Sequence, residues 1–173
     1  VAVAVGAGIV DLFRDAGVQG VVIGGQTMNP SVRDVLSAVE DVAADTVIVL
    51  PNNKNIIPVA EQLDALTTKT VLVVPTRSMP EGLAAMIAFM PGNEAAHSVA
   101  VMRAAAAACG WGEVTRAVRD AVTPAGTIRE GDWLGIVNGE VSVIAPTTTA
   151  AAVGVLGSLV NGTAEVVTVF TGS

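Results

Sequence analysis

Basic side chains are scarce in this chain. Nine Lys and Arg stand against sixteen Asp and Glu in 173 residues, a formal net charge of −7. Phosphate recognition needs clustered cations, and these are scattered, which argues against a nucleic-acid or anionic-membrane surface. A basic partner surface stays compatible with a pI near 4.5. The single cysteine, Cys109, rules out an internal disulfide and a metal site built from thiolates alone, and fits a reducing cytoplasm. The single histidine, His97, leaves little for a catalytic triad or a multi-histidine metal site. No apolar run reaches the roughly 18 residues of a membrane span. Aromatic residues make up only 3%. What is abundant is small and apolar: half the chain is hydrophobic, mostly Ala and Val, as where helices pack closely on a parallel sheet. The length suits one ordinary domain or two small ones. The opening VAVAV starts in mid-strand without a Met, so the sequence reads as a piece of a longer polypeptide.

Apolar strands alternate with amphipathic helices up to about residue 92. VAVAVG is followed by GIVDLFRDAG, whose Ile9, Leu12, Phe13 and Ala16 fall at helical spacing and whose Gly17 suits a left-handed cap. VQGVVIGG is a second strand. SVRDVLSAVEDVA places Val32, Val35, Leu36, Val39 and Val42 on one face, with Ser31 or Asn29 near its start and Pro30 in its first turn. TVIVL and TVLVVP are further strands; IIPVAEQLDAL and the segment after TRSMPEG are further helices. The pattern predicts an open parallel, Rossmann-like sheet over residues 1–92, with right-handed crossovers. Beyond Pro91 and Gly92 it changes. A helix over NEAAHSVAVMRAAAAACG precedes strand-like GEVTRAVRDAV, GDWLGIVNGEVSVIA and EVVTVFTG, and TTAAAVGVLGSLV adds a helix. Turn chemistry at Pro124-Ala125-Gly126 and Asn138-Gly139 separates the strands, so residues 93–173 read as a smaller α+β lobe.

Loops leaving the carboxyl ends of parallel strands gather on one edge, where ligands usually bind. Three polar loops meet that description: GGQTMNPS (24–31), PNNKN (51–55) and PTRSMPEG (75–82). They supply Gly24, Gly25, Gln26, Thr27, Asn29, Asn52, Asn53, Lys54, Asn55, Thr76, Arg77 and Ser78. The cluster is rich in donors and has no nucleophile and base pair, so no catalytic residue is assigned. Gly24 and Gly25 admit close approach of a ligand or partner, or make a tight turn. Ser31 and Asn29 read as helix caps rather than ligand contacts. Three amides around one lysine exceed what a cap needs. Lys54 and Arg77 are placed either to hold a carboxylate or phosphate or to be solvated. GAG at 6–8 is a fragment of a dinucleotide fingerprint, but Asp11 occupies the third glycine's place, and there is no P-loop. Asp120, Glu130 and Asp132 lack calcium-site spacing, so no metal site is assigned. His97 reads as a surface or capping residue, and Trp111 and Trp133 as packing of the second lobe or an interface anchor.

GGQTMNPS, then LPNNKNI, then VVPTRSMPEGLAAMIAF, followed by GEVTRAVRD, IREGDWLGI with NGEV, and EVVTVFTG, together resemble the C-terminal region of DAK2-domain, YloV-like proteins, the A subunit of bacterial fatty acid kinase. The resemblance covers essentially the whole chain. It implies a modular, cytoplasmic kinase with ATP and Mg²⁺ on a missing N-terminal domain of the dihydroxyacetone kinase type, and homodimerisation through a missing domain. Phosphoryl transfer then lies elsewhere. The fatty acid is presented by a separate DegV-like binding protein, which this region is implied to engage. The region also resembles the DegV-like carriers, whose Ser/Thr loops hold the acyl carboxylate; here the second loop reads PNNKN, without Ser or Thr.

Three functions are therefore in play. The leading one is a non-catalytic domain docking the fatty-acid carrier. The second is a small-molecule or fatty-acid binding module of the DegV type, and the third a dihydroxyacetone kinase-related enzyme domain acting at Lys54 and Arg77.

Overall fold

Short Val- and Ile-rich runs flanked by helices with one apolar stripe bury both kinds of element together. The computed structural model describes residues 1–25, 29–160 and 166–171, and among them the chain is mixed α/β, with six α-helices and several small sheets. It divides into two units, Val1–Cys109 and Gly110–Ser173.

In the first unit β1 (Ala2–Ala4) runs parallel to β2 (Val21–Ile23), and β3 (Thr46–Val49) runs parallel to β4 (Thr70–Val73). The two pairs meet at a parallel bridge between Ala2 and Leu50, closed by Val3 N–H to Leu50 O and Leu50 N–H to Val1 O, each 2.9 Å. Alternation along β1 sends Ala2 and Ala4 to one face and Val3 to the other. The first face is covered by α1 (Ala7–Asp15), α4 (Met79–Ala88) and α5 (Ala95–Ala108), through Val10, Phe13, Ala85, Val99, Met102 and Ala106. Opposite, Val35 and Val39 of α2 (Val32–Glu40), Ala60 of α3 (Ile57–Ala60) and Leu63 of a 3₁₀ turn (Leu63–Leu66) pack with Val3, Val47 and Val49.

Several boundaries differ from those drawn on sequence. The helix after Pro91-Gly92 packs on α4 within the first core, so the division between units falls after Cys109 rather than at 92/93. The expected third helix is two pieces: Pro58 sits in the first turn of α3, and the Asp64 carboxylate accepts from Val71 N–H at 2.9 Å, drawing the chain into β4. On α1 the buried stripe is Val10 and Phe13, while Leu12 and Ala16 are exposed. The α2 face is as expected, and Pro30 precedes the N-cap Ser31 rather than occupying the first turn. Gly17 adopts φ 93 after α1, as a left-handed cap does.

In the second unit β5 (Gly112–Arg116), β8 (Trp133–Val137) and β9 (Glu140–Ala145) form an antiparallel sheet of order β5-β8-β9. GEVTRAVRDAV is thus two strands, the second being β6 (Ala121–Thr123), which forms a hairpin with β7 (Gly126–Ile128). Asn138 and Gly139, at φ 49 and 92, make the two-residue turn between β8 and β9. Along β5 and β8 runs α6 (Thr148–Leu159), capped by the Thr147 hydroxyl. EVVTVFTG, expected as a strand, lies partly outside the described residues; residues 166–171 pair with no described strand, and Val166 and Val169 are exposed. An alternating apolar pattern makes a strand only where a neighbour supplies its hydrogen bonds. Among the described residues no helix is long and apolar enough to cross a membrane.

Candidate functional site

The loops following β3 and β4 lie side by side, and the polar residues nearest their strands turn inward. Asn52, two residues past Leu50, adopts φ 54, a left-handed conformation that Asn tolerates better than most residues. Its side chain enters the core and is 3% exposed. There its backbone N–H donates to Thr76 Oγ1 at 3.0 Å, the Thr76 hydroxyl donates to Asn52 Oδ1 at 2.7 Å, and Asn52 Nδ2 donates to Val3 O at 2.9 Å. Thr76 is fully buried. Gly82 of α4 completes this arrangement, since a Cβ there would lie 2.1 Å from Asn52 Oδ1.

The next residues shape the loop itself. Asn53, also buried, accepts from Asn55 N–H through Oδ1 at 2.9 Å, and its carbonyl accepts from Ile56 N–H at 3.0 Å. Lys54 and Asn55 form the exposed tip. After β4, Ser78 caps α4 by accepting from Glu81 N–H. The Glu81 carboxylate accepts from Arg77 N–H at 2.7 Å and pairs with the Arg77 guanidinium at 3.0 Å. Glu81 is buried while the Arg77 side chain is 59% exposed, so the guanidinium reaches solvent with one edge already engaged.

At the β2 end Gly24 extends the pairing with β1 through its backbone, and Gly25 serves close packing. Gly24 N–H donates to Ala4 O at 3.0 Å, and a Cβ on Gly25 would meet Val5 Cγ1 at 3.0 Å. Gln26 and Thr27 lie outside the described residues. Asn29 is exposed, and the cap of α2 is Ser31, in a reciprocal box with Asp34: the Ser31 hydroxyl donates to Asp34 Oδ2 at 2.8 Å, and Ser31 N–H does so at 2.9 Å. These two bonds, the hydroxyl first, hold the Asp34 carboxyl below its ordinary pKa.

The structure therefore separates the sequence candidates into an inner set (Asn52, Asn53, Thr76, with Gly24 and Gly25) and an outer set (Lys54, Asn55, Arg77, Asn29). Gly82, Glu81 and the Val3 carbonyl were not among the candidates. An isolated glycine inside the helical PEGLAAM and the S-x-x-E spacing of Ser78 and Glu81 are the signals that mark two of them.

In the second unit Asp120 Oδ1 accepts from Glu130 N–H at 2.7 Å and Asp132 Oδ2 from Arg129 N–H at 2.8 Å, so both carboxylates shape turns. Among the described residues no group of three His, Cys, Asp or Glu is placed to hold a metal ion. His97 is exposed in the first turn of α5, and Trp111 is buried against the turn at Gly139. Burial, and next the Glu81 charge, push the Cys109 thiol above its ordinary pKa.

Comparison with known proteins matches residues 1–173 to the FakA-like C-terminal family, that of proteins like the A subunit of fatty acid kinase. Protein YloV of Bacillus subtilis (strain 168) is 41% identical over 172 residues, covering 99% of this chain and 31% of that protein. Uncharacterized proteins of Staphylococcus haemolyticus and Staphylococcus epidermidis are 32% and 31% identical over the same share of each chain. The chain spans about a third of the length of these curated relatives. With the family model matching from first residue to last, this chain belongs to the C-terminal family of FakA-like fatty acid kinase proteins.

Proposed function

We propose that this chain is a non-catalytic domain of a fatty acid kinase, and that its outer loop residues dock a separate, DegV-like protein carrying the fatty acid. The observation behind this reading is the division of labour at the loops. Buried Asn52 and Thr76 satisfy each other, while Lys54, Asn55 and Arg77 present donors outward. Such outward donors suit recognition rather than proton transfer, since the neighbouring carboxylate, Glu81, is buried and already engaged by Arg77. ATP and Mg²⁺ would bind another part of the kinase, as would the dimer contact.

The same reading takes the two parallel pairs, joined at Ala2 and Leu50, as one open sheet of order β2-β1-β3-β4, a Rossmann-like and DegV-type arrangement. That order brings the loops after β1, β3 and β4 together on one edge. Beneath them Val3, Val49, Leu50 and Val74 are fully buried side chains, which favours docking over a binding module with an acyl chain inside.

The test is carrier-dependent phosphorylation by the full-length protein with Lys54→Ala and Asn55→Ala together. Both side chains are exposed, so the fold should be unaffected. Carrier-dependent turnover should fall about tenfold, the loss of roughly 1.4 kcal/mol of interface energy, with nucleotide binding retained. Unchanged coupling to the carrier would sink the docking role. An acyl lipid recovered in stoichiometric amount from the purified protein would favour the binding module instead.

A further inference from the structure

We infer that Asn52, Thr76 and Gly82 form a positioning lock that holds the two exposed cationic tips in one arrangement for docking; the inference rests on the docking reading above. All three are buried, so none can itself touch a partner. Their bonds join three chain segments: Asn52 follows β3, Thr76 follows β4, and Val3 lies within β1. Lys54 is two residues beyond Asn52, and Arg77 directly follows Thr76. Fixing Asn52 to Thr76 therefore fixes the roots of both tips relative to each other.

The chemistry at position 52 is specific. A carboxamide accepts from the Thr76 hydroxyl and donates to the Val3 carbonyl at once. A carboxylate would set its charge against the Val3 carbonyl, and an aliphatic side chain would strand both partners. The left-handed φ of Asn52 aims the side chain inward, and the bare backbone of Gly82 leaves the space that receives it. Gly82→Ala alone should expel the amide, because a 2.1 Å approach to a buried group has no room to relax.

A pair of compensating changes separates positioning from mere stability. In the full-length protein, Asn52→Gly with Gly82→Ala keeps the left-handed turn and fills the vacated space with the new methyl group. It also keeps the backbone bond from residue 52 to Thr76. Only the side-chain bonds to Thr76 and Val3 disappear. The double variant should stay folded at the assay temperature but melt several degrees lower, since the buried Thr76 hydroxyl and Val3 carbonyl lose their partner, and it should bind the acyl-carrying partner about tenfold more weakly. Thr76→Ser should bind as the parent does, and Thr76→Val should weaken binding like the double variant.

Parent-like binding by Thr76→Val or by a folded double variant, while Lys54→Ala with Asn55→Ala weakens binding, overturns the lock and leaves docking intact. Parent-like binding by every variant, the tip variant included, overturns both. Should the double variant fail to fold, the Thr76→Ser and Thr76→Val comparison decides alone, read beside the melting temperature of each.

Discussion

At the scale of single residues, direction matters more than identity. Asn52 and Asn55 belong to the same polar run, yet one is buried in a hydrogen-bonded triangle and the other caps an exposed tip. The polarity of PNNKN and its place after a strand were legible in the sequence. Which amides turn inward was not, because that depends on Thr76 and on a glycine in a helix much further along the chain. Ser31 shows the opposite case: S-x-x-D at a helix start is a local device, complete within four residues, and the sequence sufficed to expect a cap there. It also carries a pH dependence. The folded carboxyl of Asp34 has a pKa below the ordinary value of 3.8, chiefly through the Ser31 hydroxyl. Its contribution is therefore fully present above the unfolded value and is lost as pH falls through the folded one. Ser31→Ala should lower stability at about pH 7 and cost less near pH 2, where a protonated Asp34 accepts more weakly from the Ser31 hydroxyl while the bond from Asp34 N–H to the serine oxygen persists in the parent. Urea unfolding at both pH values checks this; an equal cost at both would remove Asp34 from the account.

At the scale of elements, close approach is bought with glycine. Gly112 on β5 and Gly135 on β8 face Val155 of α6, and a Cβ on Gly135 would stand 2.6 Å from Val155 Cγ2 and 2.9 Å from Val143 Cβ. At these two positions the methyl groups of Val155 rest directly on the backbone of the sheet. Gly135→Ala should cost about 1–3 kcal/mol by overpacking, even though alanine loses less backbone entropy than glycine on folding. Adding Val155→Ala should recover part of that loss, since it removes the methyl groups the new Cβ would strike; thermal melts of both singles and the double give the coupling. Strictly additive costs would mean that α6 is not held at this contact. Each of these glycines was visible in GEVTR and WLGIV, but their purpose depends on the register that pairs Val114 with Gly135 and Gly112 with Val137. Hairpin turns were legible for the reason that these glycines were not: Asn138-Gly139 needs only its own backbone and its two neighbours to declare a turn.

At the scale of the whole molecule, the boundary between units tests what composition can reveal. Pro91 and Gly92 look like punctuation, and the strand-rich sequence after them looks like a new lobe. The alanine-rich α5 nevertheless closes the first core, because small side chains let it lie against α4 while Val99 and Met102 reach Phe13, Leu50 and Val74 in the same cluster. Alanine periodicity hides this, since a helix of small residues has no pronounced apolar stripe to announce which layer it joins. The energetic consequence is large. Burying Val99 and Met102 is worth about 1.5–3 kcal/mol each, and α5 also covers neighbours on α4, against a net stability of only about 5–15 kcal/mol for a domain. Arg103 adds a guanidinium bond to Val73 O at 2.6 Å, tying the helix to the end of β4. A chain ending at Cys109 should therefore unfold cooperatively in urea, whereas one ending at Gly92 should bind a hydrophobic dye and show no sharp transition. Met102→Ala in the full chain should cost about 2–5 kcal/mol, in keeping with a core position. A cooperative transition of equal midpoint in both shortened chains would return α5 to the second unit and place the boundary at 92/93.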